Sequence, residues 1–187
     1  MQTLDSIALG GGCFWCTEAV FKLLKGIKTV ASGYAGGTTK NPSYDQVSGG
    51  QTGYAEVVYL EYDPREISLR DILIVFFASH DPTTKNRQGD DIGTQYRSIV
   101  FYQHSDQQHA IETFIDELNR SSRYGAPIIT EVKPLDRFYE AELHHQNYYS
   151  EHRDAPYCQI VINPKLEHIK AEFAALLKDN TNNNSRL

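Results

Sequence analysis

Gly10-Gly11-Gly12-Cys13-Phe14-Trp15-Cys16-Thr17-Glu18 joins two apolar patterns. Upstream, Ile7 to Leu9 reads as a short strand; downstream, Val20, Leu23 and Leu24 recur at helical spacing until Gly26 supplies a stop. The glycine run is therefore a strand-to-helix turn that delivers Cys13 to a helix N-terminus. Unpaired N–H groups and the positive end of the helix dipole favour a thiolate there, so a lowered Cys13 pKa is expected. Lowering a thiol from about 8.5 to about 7 raises the thiolate fraction at neutral pH from roughly 3% to about half, for roughly 2 kcal/mol. Cys16 lies one helical turn on. Side chains at that spacing stand about 5–6 Å apart and a disulfide wants Cα atoms roughly 4.4–6.8 Å apart, so the two can bridge without large movement. A redox-active pair is the leading reading. Buried structural thiols, or half of a zinc site, are the others, and neither explains the glycines.

The rest of the chain bounds the problem. Its 187 residues suit one domain with a full hydrophobic core, expected over residues 1–178, followed by a polar C-terminal tail at 179–187. A net charge of −6 with scattered basic residues argues against nucleic acid as a partner. No apolar run is long enough to span a membrane, and Met1 to Ser6 lacks the basic start and apolar stretch of a signal peptide, so a cytoplasmic protein is expected; a monomer is the separate expectation for its assembly. Three cysteines, with Cys158 alone, suit a reducing compartment rather than a disulfide framework.

Elements follow from patterning. Ala55 to Tyr62 reads as a strand with Glu56, Val58, Leu60 and Tyr62 on one face. Ser68 caps a helix carrying Leu69, Ile72, Leu73, Phe76 and Phe77, which ends near His80 before Pro82. Tyr96 to Tyr102 is a strand, and Ser105 with Gln108 resembles a capping box ahead of Ala110, Ile111, Phe114, Ile115 and Leu118. Ile128 to Val132 and Gln159 to Ile162 are further strands, and Pro164 opens a helix through Ile169, Phe173, Leu176 and Leu177. Ser32 to Gly53 and His80 to Thr94 take no regular assignment; long irregular segments of this kind often carry function. The sum is an α+β fold, a two-layer sandwich of packed helices on a mixed sheet.

GGGCFWCTEAVF, GYAGG, NPSYDQVSGGQTGYAEVV, HDPTTKNRQGDDIGTQYRS and PYCQIVINPK, in that order, make the chain resemble the A-type peptide methionine sulfoxide reductases. The resemblance implies a ferredoxin-like core and reduction of the S epimer of methionine sulfoxide, free or in proteins. It carries the nucleophile onto Cys13 and the wall for the substrate methyl onto Phe14 and Trp15. The acid falls on Glu56 and the two tyrosines that cradle the sulfoxide oxygen on Tyr44 and Tyr96. Asp91 supports the site by hydrogen bonding. Many relatives have glycine where Cys16 stands and recycling cysteines near the C-terminus that this tail lacks; others share the Cys-Phe-Trp-Cys arrangement with the nearby cysteine as resolver, and that resemblance implies Cys16 as the resolving thiol, with Cys158 as its rival. Thioredoxin is the implied reductant, and no metal, nucleotide or flavin is required.

The chemistry fits these residue types. A sulfoxide is apolar at its methyl and polar at its oxygen, so an aromatic pocket and hydrogen-bond donors are both needed. Glu56 shares a face with Val58 and Leu60, where burial would keep its carboxyl neutral. A thioredoxin-like disulfide oxidoreductase, and a zinc-stabilised module using Cys13, Cys16, Cys158 and one of His144, His145 or His152, remain as alternatives.

Overall fold

The computed structural model describes residues 3–179. In chain order its elements are β1 (Asp5–Gly10), α1 (Phe14–Lys22), β2 (Ile27–Ala35), α2 (Tyr44–Ser48), β3 (Ala55–Tyr62), α3 (Leu69–Ala78), β4 (Arg87–Gln88), β5 (Asp91–Ile92), β6 (Ile99–Tyr102), α4 (Ser105–Ser121), β7 (Glu131–Pro134), β8 (Phe138–Glu140), α5 (Tyr148–Glu151) and α6 (Asn163–Glu172). Six strands form one sheet in the order β7-β6-β1-β3-β2-β8. Only β6 and β7 run parallel; the other neighbours are antiparallel, so the sheet is mixed as expected.

Alternation along β3 decides which residues meet the helices. Val58, Leu60 and Tyr62 join Ile7 and Leu9 of β1 in a core with Phe14, Val20 and Phe21 of α1, Phe76 and Phe77 of α3, Ile111 and Phe114 of α4 and Ile169 of α6. Ala55 and Val57 face the other way, into a smaller cluster with Ala8, Ala35, Ile99 and Phe101. Glu56 therefore points to the helix layer, and it is only 2% exposed. Ser68 caps α3 with a full capping box, its hydroxyl accepting from the Asp71 amide while Asp71 accepts from the Ser68 amide.

Several elements differ from the sequence expectation. Strand β2 occupies the end of α1's loop and the start of the segment left unassigned; Ser32 and Gly33 interrupt its apolar pattern. Gly33 has a packing reason, since a Cβ there would run into the Tyr139 carbonyl and the Phe138 ring on neighbouring β8. His80 to Thr94 contains the β4-β5 hairpin, and Ser32 to Gly53 also contains α2. Residues 94–96 form a 3₁₀ turn, so the expected strand from Tyr96 begins only at Ile99. The strand expected at Ile128 to Val132 lies at Glu131–Pro134. Helix α4 begins at Ser105 with His104 as its N-cap, and the Gln103 amide is satisfied by Gln107 Oε1 at 2.8 Å rather than through a Ser105–Gln108 box.

Gln159 to Ile162 is not a strand. Cys158–Ile162 is a π-helical turn leading straight into α6, with Cys158 and Ile162 buried while Ile160 is 74% exposed. Burial at every fourth residue is a helical demand, and it overrides the β-branched composition. Helix α6 stops at Glu172, so Phe173 to Leu177 leave it through a 3₁₀ turn. Of the polar tail expected at 179–187, all but Asp179 lies outside the described residues. Among the described residues no helix is long and apolar enough to cross a membrane.

Candidate active site

Close packing explains the glycine run. Strand β1 ends against the Glu56 carbonyl and Ile99, and a Cβ on Gly11 would meet the His80 imidazole at 2.9 Å. Gly12 has φ +97°, a left-handed conformation that side chains rarely adopt, and turns the chain into α1. Cys13 is the N-cap, its carbonyl accepting from the amides of Cys16 at 3.1 Å and Thr17 at 3.4 Å. The His80 beneath this turn is fixed at both nitrogens, by the Phe76 carbonyl and Ser98 Oγ at 2.7 Å each. Burial lowers its pKa to about 4, so it is a neutral structural support.

Glu56 reaches the same turn from β3. Its Oε2 accepts the Phe14 amide, the first free N–H of α1, at 3.0 Å. Burial raises the carboxyl's pKa to about 8 against the opposing pull of that amide, and the charges of Asp91 and Cys16 push it further in the same direction. At neutral pH the group is therefore mostly a carboxylic acid. Tyr44 lies in the field of Glu56 and Cys13, and burial chiefly, then those charges, lifts its phenol to about 12. Tyr96 is raised by the same causes. Both phenols hold their protons as donors.

The cysteines do not behave as the dipole argument predicts. Both are free and buried, and each shifts the titration of the other. Burial holds the Cys13 thiol well above the ordinary range, and the Trp15 amide does not offset it. Cys16 is drawn down to about 7 by the Cys13 thiol, with help from Lys165. The lowered pKa expected at Cys13 is thus corrected: a helix terminus is worth roughly 0.3–1 kcal/mol on exposed groups, whereas desolvating a thiolate costs more. Cys158 is fully buried and its thiol is also raised by burial.

An aromatic wall stands beside the sulfurs. Phe14 lies 5.8 Å from Tyr34 and 6.5 Å from Tyr44, ring centre to ring centre. Tyr148 stacks flat on Trp15 at 3.6 Å, and the Trp15 indole N–H donates to His145 Nδ1 at 3.2 Å. Glu142 ties the wall to the donors, accepting from Tyr34 Oη at 2.9 Å and from the Tyr44 amide at 2.8 Å. Asp91, on the β4-β5 hairpin, accepts from Tyr157 Oη at 2.9 Å, and Tyr157 Oη lies 3.6 Å from Cys16 Sγ.

The structure thus gathers Cys13, Phe14, Trp15, Cys16, Tyr44, Glu56, Asp91 and Tyr96 into one place. Sequence reasoning missed the contributions of Tyr157, Glu142, His145 and Tyr148. The available signal for Tyr157 is its place beside Cys158 in the PYCQ run. The zinc arrangement finds no support in geometry: among the described residues no three His, Cys, Asp or Glu side chains converge as ligands would.

Residues 5–177 match the family described as peptide methionine sulfoxide reductase. The chain is 51% identical over 170 residues to the peptide methionine sulfoxide reductase MsrA of Trichodesmium erythraeum, an alignment covering 91% of this chain and 96% of that one. Among solved structures it is similar to the reduced form of Mxr1 from Saccharomyces cerevisiae, at 37% identity and TM-score 0.78 over 83% of this chain and 89% of that one. It is also similar to Mxr1 in complex with Trx2, at 28% identity and TM-score 0.55 over 78% of this chain and 84% of that one.

Proposed function

Because the chain belongs to the A-type peptide methionine sulfoxide reductase family and so reduces methionine sulfoxide through thiol chemistry, we propose that Cys13 is its nucleophile and Cys16 its resolving thiol. The substrate is the S epimer. Its methyl rests against Phe14 and Trp15, and its oxygen takes hydrogen bonds from Glu56, Tyr44 and Tyr96. Attack by Cys13 Sγ places an electron pair on the substrate sulfur and negative charge on oxygen, which three donors in a buried site stabilise. The Glu56 proton moves to that oxygen, and the thiol proton of Cys13 restores Glu56. The S–O oxygen then passes to Cys13, giving a sulfenic acid and methionine.

Cys16 Sγ next attacks the Cys13 sulfur, releasing water and forming a disulfide. A dithiol protein returns both thiols by exchange and leaves oxidised itself. Thioredoxin is that protein in this reading, supported by the complex of the related Mxr1 with Trx2. Cys158, buried in the π turn, is a packing residue. Asp91 supports the site through Tyr157.

The observation that carries the assignment is the Glu56 carboxyl, buried and accepting at 3.0 Å the amide of the residue that follows Cys13, where burial raises its pKa to about 8. Cys13→Ser abolishes turnover of separated methionine S-sulfoxide in an assay driven by thioredoxin and its reductase. Retained turnover in that variant removes Cys13 from the reaction.

A further inference from the structure

We propose that Tyr157 and Asp91 form a proton relay that deprotonates Cys16 for the disulfide-forming step, an inference that rests on Cys16 being the resolving thiol. A tyrosine hydroxyl has one proton to give. Tyr157 Oη gives it to Asp91 Oδ2 at 2.9 Å, the stronger of its two acceptors, because a hydrogen bond to a carboxylate outweighs one to a thiol. The remaining contact, 3.6 Å to Cys16 Sγ, is then an S–H donating to the phenolic oxygen. The protons then point one way, from Cys16 to Tyr157 to Asp91.

The resolving step needs this direction. The Cys16 sulfur pair forms the S–S bond, the Cys13 S–O bond breaks, and its pair leaves on oxygen. Glu56, which carries a proton at neutral pH, supplies it to that oxygen to make water. The Cys16 proton travels the other way, onto Tyr157 Oη as the phenol's own proton passes to Asp91. Asp91 is partly exposed at the hairpin and returns the proton to water, which restores Glu56. Deprotonating Cys16 directly into solvent has no comparable route, as its side chain is only 3% exposed.

Groups facing Cys16 come from every side: Cys13 before α1, Glu56 on β3, Asp91 on the hairpin, and Tyr157, Cys158 and Lys165 from the C-terminal segment. The pH dependence of a single step is therefore the discriminating readout. Tyr157→Phe keeps the ring edge that packs on Trp15 at 5.9 Å and removes only the hydroxyl. In rapid-quench single turnovers, methionine release and disulfide formation are timed separately by chromatography and by mass spectrometry of alkylated protein. At pH 6 the variant forms the Cys13–Cys16 disulfide about tenfold or more slowly than wild type. Its rate follows the thiolate fraction, falling about fivefold from pH 7 to 6 and approaching tenfold per pH unit below that, whereas the wild-type slope is shallower. Asp91→Asn, its methionine release measured alongside, steepens the profile in the same way and carries the test should Tyr157→Phe not fold. Equal rates and slopes in wild type and variant overturn the relay while leaving Cys16 as resolver. A wild-type disulfide that joins Cys13 to Cys158 instead removes both.

Discussion

Glu56→Gln stabilises this protein at neutral pH while disabling it. In the fold the Glu56 carboxyl titrates at about 8, against an ordinary 4.5, because it is buried on the helix side of β3. A carboxyl raised in this way costs nothing below pH 4.5, where it is neutral folded or unfolded. Between 4.5 and 8 the unfolded chain releases the proton and the folded one keeps it, so stability falls as pH rises through that window. From 4.5 to 7 is about 2.5 pH units at about 1.36 kcal/mol each, which gives about 3 kcal/mol lost at pH 7. Glutamine keeps an oxygen for the Phe14 amide and has nothing to ionise. Urea unfolding at pH 7 therefore yields a variant more stable by about 3 kcal/mol, and the gain shrinks toward zero at pH 4.5. In single turnovers the same substitution slows methionine release far more than it weakens substrate binding, and the wild-type rate of that step declines above pH 8. A stability difference independent of pH, or a variant less stable at pH 7, refutes the account of Glu56 as a buried, protonated acid.

Cys16→Ser releases one methionine per enzyme at the wild-type rate, then stops cycling with thioredoxin; undiminished cycling in a coupled assay shifts resolution to Cys158. Glu142→Ala leaves the Tyr34 hydroxyl and the Tyr44 amide without their shared acceptor. It lowers stability by about 2 kcal/mol in urea unfolding and raises KM for methionine sulfoxide; unchanged values in both show that Glu142 does not hold Tyr44 in place.

Local pattern was enough for much of this molecule. Alternation in Ala55 to Tyr62 placed Glu56 with Val58 and Leu60, and the structure shows that face turned toward the helices. The capping residue Ser68 was equally plain. Strand β2 was hidden because Gly33 serves the neighbouring β8 rather than its own strand's apolar rhythm. Gln159 to Ile162 misled because β-branched composition says nothing about which residues a tertiary neighbour will cover. The Cys13 pKa failed for a related reason. A helix terminus is visible in sequence, whereas the depth at which its sulfur is buried is not. The Cys16–Tyr157 contact spans 141 residues, and no local pattern encodes it.

That separation in sequence has a further meaning. Trp15 is bound to His145, Tyr34 and Tyr44 to Glu142, and the Glu18 carboxyl, buried in α1, to the Asn147 amide at 2.8 Å. Each of these contacts closes a loop of about a hundred residues or more, so a large loop-closure entropy opposes its formation. A growing chain carries both thiols and Glu56 before the residues from Glu142 onward exist to enclose them. In the finished protein, release of that segment alone bares the dithiol while the sheet stays paired. The rate at which Cys16 accepts an alkylating reagent under native conditions is thus a clock for how often the C-terminal quarter lets go.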